Sequence, residues 1–471
     1  MTPDEFRKNA HELVEWMASY MENVGQYPVK SQSRPGEIFN RLPDAPPLKS
    51  ESFSSFMKDL EEIIMPGITH WQSPDFYAYF PANTSPPSIL AEMITATLGA
   101  QCMNWETSPA AAELEEKMMN WLRSMTGLPD TFEGVIQDSA STATLAAILT
   151  AREKTTAFTA NNEGLNTDRP LRVYCSEQGH SSIEKGVRIS GIGRKNLVRI
   201  PVKEDFSMDP EALKKAVEED KDKGYLPCCV IATLGTTGTT AFDPLGPIGE
   251  ICRKNHIWLH VDAAMAGTAL ILPEFRWMLD GSEYIDSFLF NPHKWMFTNF
   301  DCTAFFIRDA DSLIRTFEIL PEYLKTRTRG RVNDYRDWGI PLGRRFRALK
   351  LWSVIRSYGV EGLQEKIRQH IAFAMRLKDL ITNEEDFEIL APVIINVVCF
   401  RFVPEGCNGQ QLNELNETLN HRLNDSGKIY LSHTVLNGKY TLRMVTGQTN
   451  VTLSHVEKAW DLIKQNARAL L

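Results

Sequence analysis

No run of about 18 consecutive apolar residues occurs in this chain, so a membrane-spanning helix is not expected. The N-terminus, Met1-Thr2-Pro3-Asp4-Glu5-Phe6-Arg7, lacks the basic-then-apolar pattern of a secretory signal. Cysteine is sparse: eight residues, at 102, 175, 228, 229, 252, 302, 399 and 407, none of them in a C-x-x-C pair. That spacing indicates neither zinc, nor any other metal, nor a disulfide framework; it suits reduced core thiols in a cytoplasmic protein. Positive charge is in deficit, with 51 Lys and Arg against 60 Asp and Glu, and the net charge of −9 argues against nucleic acid as a main partner. The one basic run, Lys325-Thr326-Arg327-Thr328-Arg329-Gly330-Arg331, is short, has no interleaved aromatics and reads as a solvated loop. Internal repeats and low-complexity segments are missing as well.

What the chain has is length and an ordinary apolar content: 471 residues, 43% hydrophobic and 24% charged, the numbers of a soluble protein of two or three domains. Residues 3 to 24 read as an amphipathic helix with Phe6, Leu13, Met17 and Met21 on one face. A lone helix cannot bury such a face, so it must pack on the main body or on another subunit. A connector with Pro and Gly follows from Gln26 to Pro47, then a second helix from Ser52 to Ile64. From about Asp75 to Trp352, short apolar runs alternate with amphipathic stretches. Leu171–Val173, Leu197–Ile200, Cys229–Leu234, Ile257–Val261, Ser287–Phe290 and Thr303–Ile307 are expected strands; Ser141–Glu153 and Asp209–Asp220 are expected helices. This alternation predicts an α/β domain with a mostly parallel sheet. From roughly Arg356 onward a smaller α+β pattern appears: a helix near Gly359–Thr382, strands near Val393–Phe402, Ile429–Leu431 and Lys439–Val445, and a final helix from Ser454 to Leu470. The expected division is therefore an N-terminal helical arm (1–74), a large α/β domain (75–355) and a small C-terminal α+β domain (356–471).

Chemistry concentrates where strands of the large domain should end, the usual ligand position in an α/β sheet. Ser287-Phe288-Leu289-Phe290 stops at Asn291-Pro292-His293-Lys294-Trp295, and Ile257-Trp258-Leu259-His260-Val261 stops at Asp262. Lysine is seldom buried unless it is paired or chemically used. A lysine for a Schiff base and an aspartate for a pyridinium nitrogen are the basic equipment of a pyridoxal-phosphate (PLP) enzyme. Gln137-Asp138-Ser139-Ala140-Ser141 opens a strong helical run, and small residues at a helix start offer backbone N–H groups to a phosphate. Leu234-Gly235-Thr236-Thr237-Gly238 is a small-residue loop that lets a ligand approach; without a following Gly-Lys-Ser/Thr it is no nucleotide P-loop. His180, beside Gly179, can lie flat on an aromatic ring. Each feature alone has a commoner structural role: a snorkelling lysine, a turn aspartate, a capped helix, a loop histidine. Their order along one chain is what carries weight.

In that order the chain resembles the group II PLP-dependent amino-acid decarboxylases, specifically the aromatic-L-amino-acid decarboxylases. The resemblance runs nearly end to end. Its most specific matches are Ile64-Met65-Pro66-Gly67-Ile68-Thr69-His70-Trp71, Ala78-Tyr79-Phe80-Pro81, Leu259-His260-Val261-Asp262-Ala263-Ala264, Asn291-Pro292-His293-Lys294-Trp295, Asn299-Phe300-Asp301-Cys302 and Ile340-Pro341-Leu342-Gly343-Arg344-Arg345-Phe346-Arg347. It implies the PLP-dependent transferase-like fold (fold type I), with PLP in the large domain. By similarity Lys294 is the Schiff-base lysine and Asp262 the partner of the ring nitrogen. His180 is the stacked ring. Ala140, Ser141, Ser287, Asn291 and His293 match phosphate- and cofactor-contacting positions, and Thr237 and Ala264 match residues lining the ring.

The same resemblance makes Tyr323 the proton donor, at the start of a charged segment running to about Arg336 that is expected to close as a lid. Relatives with phenylalanine at this position, or with asparagine at that of His180, tend to be aldehyde synthases; Tyr323 and His180 together predict amine formation. The runner-up is aldehyde synthesis or another PLP-dependent reaction on the same scaffold. Gly343 resembles the indole-accepting members, where serine marks histidine- or phenol-selective ones. Trp71, Tyr79, Phe80 and Pro81 are the expected aromatic wall. Three departures stand out: Ala82 for threonine, Met103 for phenylalanine and Met265 for tyrosine. The first removes a carboxylate contact and the second makes the pocket more adaptable. Tryptophan, 5-hydroxytryptophan, DOPA, tyrosine and phenylalanine all stay open as substrates. The family pattern also implies a cytoplasmic homodimer with shared sites, whose N-terminal helices wrap the partner.

Overall fold

Apolar runs of four to eight residues form the strands of the larger unit, residues 82–371 with 391–395. The computed structural model describes residues 1–165, 168–319 and 330–471. In this unit β1 (Glu133–Gln137), β2 (Leu171–Ser176), β3 (Leu197–Ile200), β4 (Leu226–Thr233), β5 (Trp258–Asp262), β6 (Ser287–Phe290) and β7 (Thr303–Ile307) join in the order β1-β7-β6-β5-β4-β2-β3. β3, β2, β4, β5 and β6 are mutually parallel, and β7 runs antiparallel to both of its neighbours. Every residue of β5, β6 and β7 is buried, which is why they read as continuous apolar runs rather than alternating ones. The direction of pairing brings the C-terminal ends of β1, β2, β4, β5 and β6 to one edge, where β7 begins.

Three helices frame that edge: α1 (Pro109–Thr126), α2 (Ala140–Thr155) and α3 (Ser181–Ile189). α2 is rich in alanine, and Ala143, Ala146, Ala147 and Ala151 are fully buried with Val173, Cys175, Cys229, Ile231, Leu289 and Phe305 in one cluster. Small side chains let the helix lie close to the sheet. α3 carries Gly186, where a Cβ would come within 2.9 Å of Ile148 Cδ1, so a larger residue would have to displace the end of that side chain.

The smaller unit, residues 1–81, 372–390 and 396–471, holds a four-stranded sheet in the order β10-β11-β9-β8. Its strands are β8 (Phe387–Ile389), β9 (Val397–Phe402), β10 (Ser432–Leu436) and β11 (Lys439–Val445), all antiparallel. Phe387, Phe400 and Phe402 close around Trp460 of the last helix, Leu453–Arg468. The N-terminal helix, Pro3–Asn23, starts with a Thr2/Glu5 capping box and contains no buried residue; Phe6, Val14 and Met21 are exposed.

Several expectations shift. β1 was not expected: it has a glycine and only two residues of consistent apolar character, and its place is fixed by partners distant in sequence. The helix expected near Gly359–Thr382 is present, and Gly359, at φ 66° and ψ 170°, separates it from a preceding helix that starts at Arg347 and was not expected. Ile429–Leu431 is not a strand of the sheet; Tyr430 forms a single bridge to Phe76, and the strand begins at Ser432. Among the described residues no helix is long and apolar enough to cross a membrane. None of the eight cysteines is in a disulfide, and all but Cys407 are buried.

A buried ion pair pins the edge. Glu115 of α1 accepts from the Ile136 N–H of β1 at 2.8 Å and from Arg344 at 2.6 Å, while Arg344 also donates to the Ile136 carbonyl at 2.8 Å. Removing one member of such a pair strands the other charge. Arg344→Met is therefore expected to lower unfolding stability by roughly 3–5 kcal/mol in urea denaturation; a loss under about 1 kcal/mol would show that the pair is not structural.

Candidate active site

The turns that follow β5 and β6 are joined main chain to main chain. Ala263 N–H donates to Leu289 O at 3.0 Å, and Asn291 N–H donates to Ala264 O at 2.9 Å. The first turn carries Asp262, only 4% exposed, whose Oδ1 accepts from Ala264 N–H at 3.0 Å. The second carries Lys294 in a one-turn helix, Pro292–Trp295, with proline at a position where its missing N–H costs nothing. Lys294 N–H donates to Asn291 O at 2.9 Å, and the Lys294 carbonyl accepts from Asn83 Nδ2 at 2.6 Å. Asn291 is oriented by Thr303 Oγ1, 2.9 Å from its Oδ1.

Two histidines complete this edge. His293 Nδ1 accepts from Cys302 N–H at 2.9 Å, so a neutral ring carries its proton on Nε2. Burial drives its pKa down to about 3, with the Lys294 cation acting in the same direction, so the ring is neutral. His180 caps α3, its Nδ1 accepting from Ser182 N–H at 3.2 Å and lying 2.7 Å from Ser182 Oγ. The residue as a whole is solvent-exposed, yet protein crowds one side of the ring. That desolvation lowers its pKa; the Asp262 carboxylate opposes the shift, and Lys294 and Lys185 reinforce it. Asp262, Lys294 and His180 thus lie within electrostatic reach of one another.

The start of α2 tests whether a phosphate fits here. Ser139 is the N-cap: its Oγ accepts from Thr142 N–H at 3.2 Å, and its own N–H goes to Asp138 Oδ1 at 2.7 Å. The first helical backbone bond is made by Ala143 N–H, to Ser139 O. Ala140 and Ser141 are left as the two first-turn N–H groups with no backbone or capping acceptor. They head a 16-residue helix whose dipole favours an anion. These are the donors a phosphate needs, and with Asp262 and Lys294 the residues present fit PLP.

Other expected residues separate. Thr237 is exposed at the tip of its loop, while Thr236 is turned inward, 3.1 Å from Thr239 Oγ1. Ala264 lies half-buried beside Asp262. Ser287 does not join them: it begins β6, at the opposite end of that strand from Asn291. Its Oγ accepts from Trp258 Nε1 at 2.9 Å and lies 2.9 Å from His260 Nδ1. The segment with Gln101 and Met103 runs beside Gly343, through Cys102 N–H to Arg344 O at 3.0 Å and Arg344 N–H to Gln101 Oε1 at 2.8 Å. Gly343 lines a cavity of about 60 Å³ with Gln137 and Asp138, the residues leading into α2. Ala82 precedes Asn83, which holds the Lys294 carbonyl. Trp71, Tyr79, Phe80 and Pro81 belong to the smaller unit, where Trp71 stacks on Tyr79 with ring centres 5.8 Å apart and Phe80 lies under the Arg443 guanidinium at 4.6 Å. Tyr323 lies outside the described residues. A larger cavity of about 670 Å³ opens where β4 and β5 begin, at the far end of the sheet, and none of the candidate residues lines it. Sequence reading missed Asn83 and Thr303, whose contributions are one amide and one hydroxyl with no motif to mark them; Cys302 ends the quoted Asn299–Cys302 match, but nothing in that match showed that its backbone N–H holds His293.

Residues 35–403 match the pyridoxal-dependent decarboxylase conserved domain. Over its whole length the chain is 42% identical to the aromatic-L-amino-acid decarboxylase of Mus musculus, covering 99% of that protein. It is 41% identical to the phenylacetaldehyde synthase of Petunia hybrida, covering 100% of this chain and 96% of that one. Among solved structures it is similar to Oryza sativa TDC with PLP and tryptamine, with a TM-score of 0.97, 37% identity and coverage of 100% and 99% of the two chains. The chain belongs to the pyridoxal-dependent decarboxylase family; its cofactor is PLP and its fold is that of the fold type I enzymes.

The phosphate cradle can be tested without disturbing the helix. Ala140 is the first helical residue and the Ser139 before it is extended (φ −146°, ψ 156°), so proline is sterically acceptable there while deleting one N–H. Ala140→Pro is expected to raise the PLP dissociation constant roughly tenfold or more, the worth of a hydrogen bond to a charged group. Fluorescence titration with PLP reads the change, and unaltered affinity with unaltered thermal stability would remove this helix start from the site.

Proposed function

We propose that this chain removes the carboxylate of an aromatic L-amino acid, giving the arylalkylamine and carbon dioxide. The observation that carries the reading is the placement of Lys294 and Asp262 on joined turns at the ends of adjacent parallel strands, within electrostatic reach of His180. Bound PLP supplies an electron-accepting ring for the bonding pair that the departing carboxylate leaves behind. The protein's part is positional and electrostatic. Lys294 would offer the amine that holds the cofactor. Asp262 would set a negative charge opposite the ring nitrogen and favour its protonated form. His180 would cover one ring face, and Ala140, Ser141, Asn291 and His293 would hold the phosphate end. His293 does so as a neutral donor, which adds no cation to compete with Asp262. The substrate carboxylate must be held loosely, because charge leaves it in the transition state; alanine at position 82, in place of a hydroxyl, agrees with a weak grip there.

Tyr323 is proposed as the acid that returns a proton to Cα, by its match to the family's donor position. We also place the protein in the cytoplasm as a homodimer. Seven buried thiols, none in a disulfide, suit a reducing compartment, and the exposed apolar side of the N-terminal helix, including Phe6 at 61% exposure, suits burial against a second copy.

Incubating the enzyme with PLP and each aromatic amino acid, and quantifying carbon dioxide, amine, ammonia and peroxide together, tests the reaction. Equimolar amine and carbon dioxide are expected, and Tyr323→Phe should cut amine output and raise aldehyde. Aldehyde, ammonia and peroxide from the unaltered chain would instead make it an aldehyde synthase. A second variant tests the gate: a Cβ at Gly343 would lie 3.2 Å from Gln101 Nε2, so a serine there crowds the Gln101 amide. Gly343→Ser is expected to lower the tryptophan-to-tyrosine ratio of kcat/KM by about tenfold; an unchanged ratio would mean that this position does not gate ring size.

A further inference from the structure

Trp258, His260 and Asp262 alternate along β5 and so project from one face of the sheet, the face on which Trp258 packs with the alanines of α2. The register sets Ser287 of β6 directly beside His260. Trp258 Nε1 donates to Ser287 Oγ at 2.9 Å, and that oxygen stands 2.9 Å from His260 Nδ1. A serine hydroxyl has one proton to give. With the indole N–H donating to one lone pair, the serine's own proton can go to Nδ1, which leaves the imidazole as the Nε2–H tautomer. The ring is fully buried, and burial pushes its pKa down to about 4 against the pull of Asp262, so it is neutral at physiological pH. Its Nε2–H has no hydrogen-bond partner, although buried donors are nearly always satisfied. A second orphan flanks the same carboxylate: Thr233, paired with Asp262 across β4 and β5, has a buried Oγ1 without a partner.

We infer that His260, two residues before Asp262 on the same face of β5, is a positioning residue for it: held by Ser287 and Trp258, His260 keeps an unpartnered Nε2–H for that carboxylate to take up when its charge meets the ring nitrogen of bound PLP. The inference rests on Asp262 being the partner of that nitrogen. Neutrality is what suits histidine to the task. An imidazolium here would cancel the charge of Asp262, whereas a neutral N–H orients the carboxylate and leaves its charge for the ring. Ser287, expected from sequence to touch the cofactor, acts two groups away from it.

The test uses the holoenzyme and its His260→Leu, His260→Gln and Ser287→Ala variants, reading kcat and KM for amine formation, the rate of PLP release and the pH midpoint of the visible cofactor band. His260→Leu is expected to lower kcat roughly ten- to a hundredfold, the usual cost of losing a group that orients a functional ligand, with KM nearly unchanged, faster PLP release and a displaced midpoint. His260→Gln, which keeps an N–H to give, should recover most of kcat and the midpoint, and Ser287→Ala should follow His260→Leu with a smaller effect. Equal losses in the leucine and glutamine variants with an unmoved midpoint would reduce His260 to packing and overturn the inference. If the parent enzyme shows its band and amine output while His260→Leu matches it, the inference falls and the PLP reading stands; a parent with neither band nor amine overturns both.

Discussion

Adjacent, parallel pairing of β5 and β6 is the constraint on which the rest of the site depends. It sets the turn bearing Asp262 beside the turn bearing Lys294, and the Asn291-to-Ala264 backbone bond locks the two turns together. The fixed turns hold each group at its own strand end, a carboxylate at one point and an amine at another, as a ligand with a basic ring nitrogen and an aldehyde needs. The alanine-lined underside of α2 brings that helix's N-terminus to the same edge, so the phosphate donors follow from the packing that builds the core.

The electrostatics around Asp262 have one theme. His180, His260 and His293 all have pKa values lowered by burial, and all are best described as neutral rings. Each contributes a surface or an N–H without contributing a cation. The negative charge of Asp262 is therefore not spent on neighbouring imidazoliums. Tautomers are set by local partners: Cys302 N–H for His293 and the Ser287 hydroxyl for His260.

The fold was legible where local pattern and tertiary environment agree. β6, β7 and β11 coincide with their apolar runs because both faces of the first two are buried and the third is central in its sheet. β1 was illegible because Glu115 and Arg344, remote in sequence, decide where it lies. Ile429–Leu431 has the composition of a strand, but Tyr430 bridges only Phe76. Within the site, Asp262 and Lys294 were legible through the order in which they follow the other strand-end features, since either one alone has a commoner structural role. Ser287, expected only by its match to a family position, begins its strand at the far end of β6 from Asn291 and meets Trp258 and His260 there. Asn83 could not be read at all, because its bond to the Lys294 carbonyl spans most of the large unit.

The central claim is that Lys294 is the amine that carries the cofactor. Reducing the holoenzyme with borohydride fixes PLP covalently to whichever lysine holds it, and mass mapping of the peptides names that lysine. The account predicts a single phosphopyridoxyl group, on Lys294. A label on Lys350 instead, a 1%-exposed lysine whose pKa burial lowers to about 8, would contradict it.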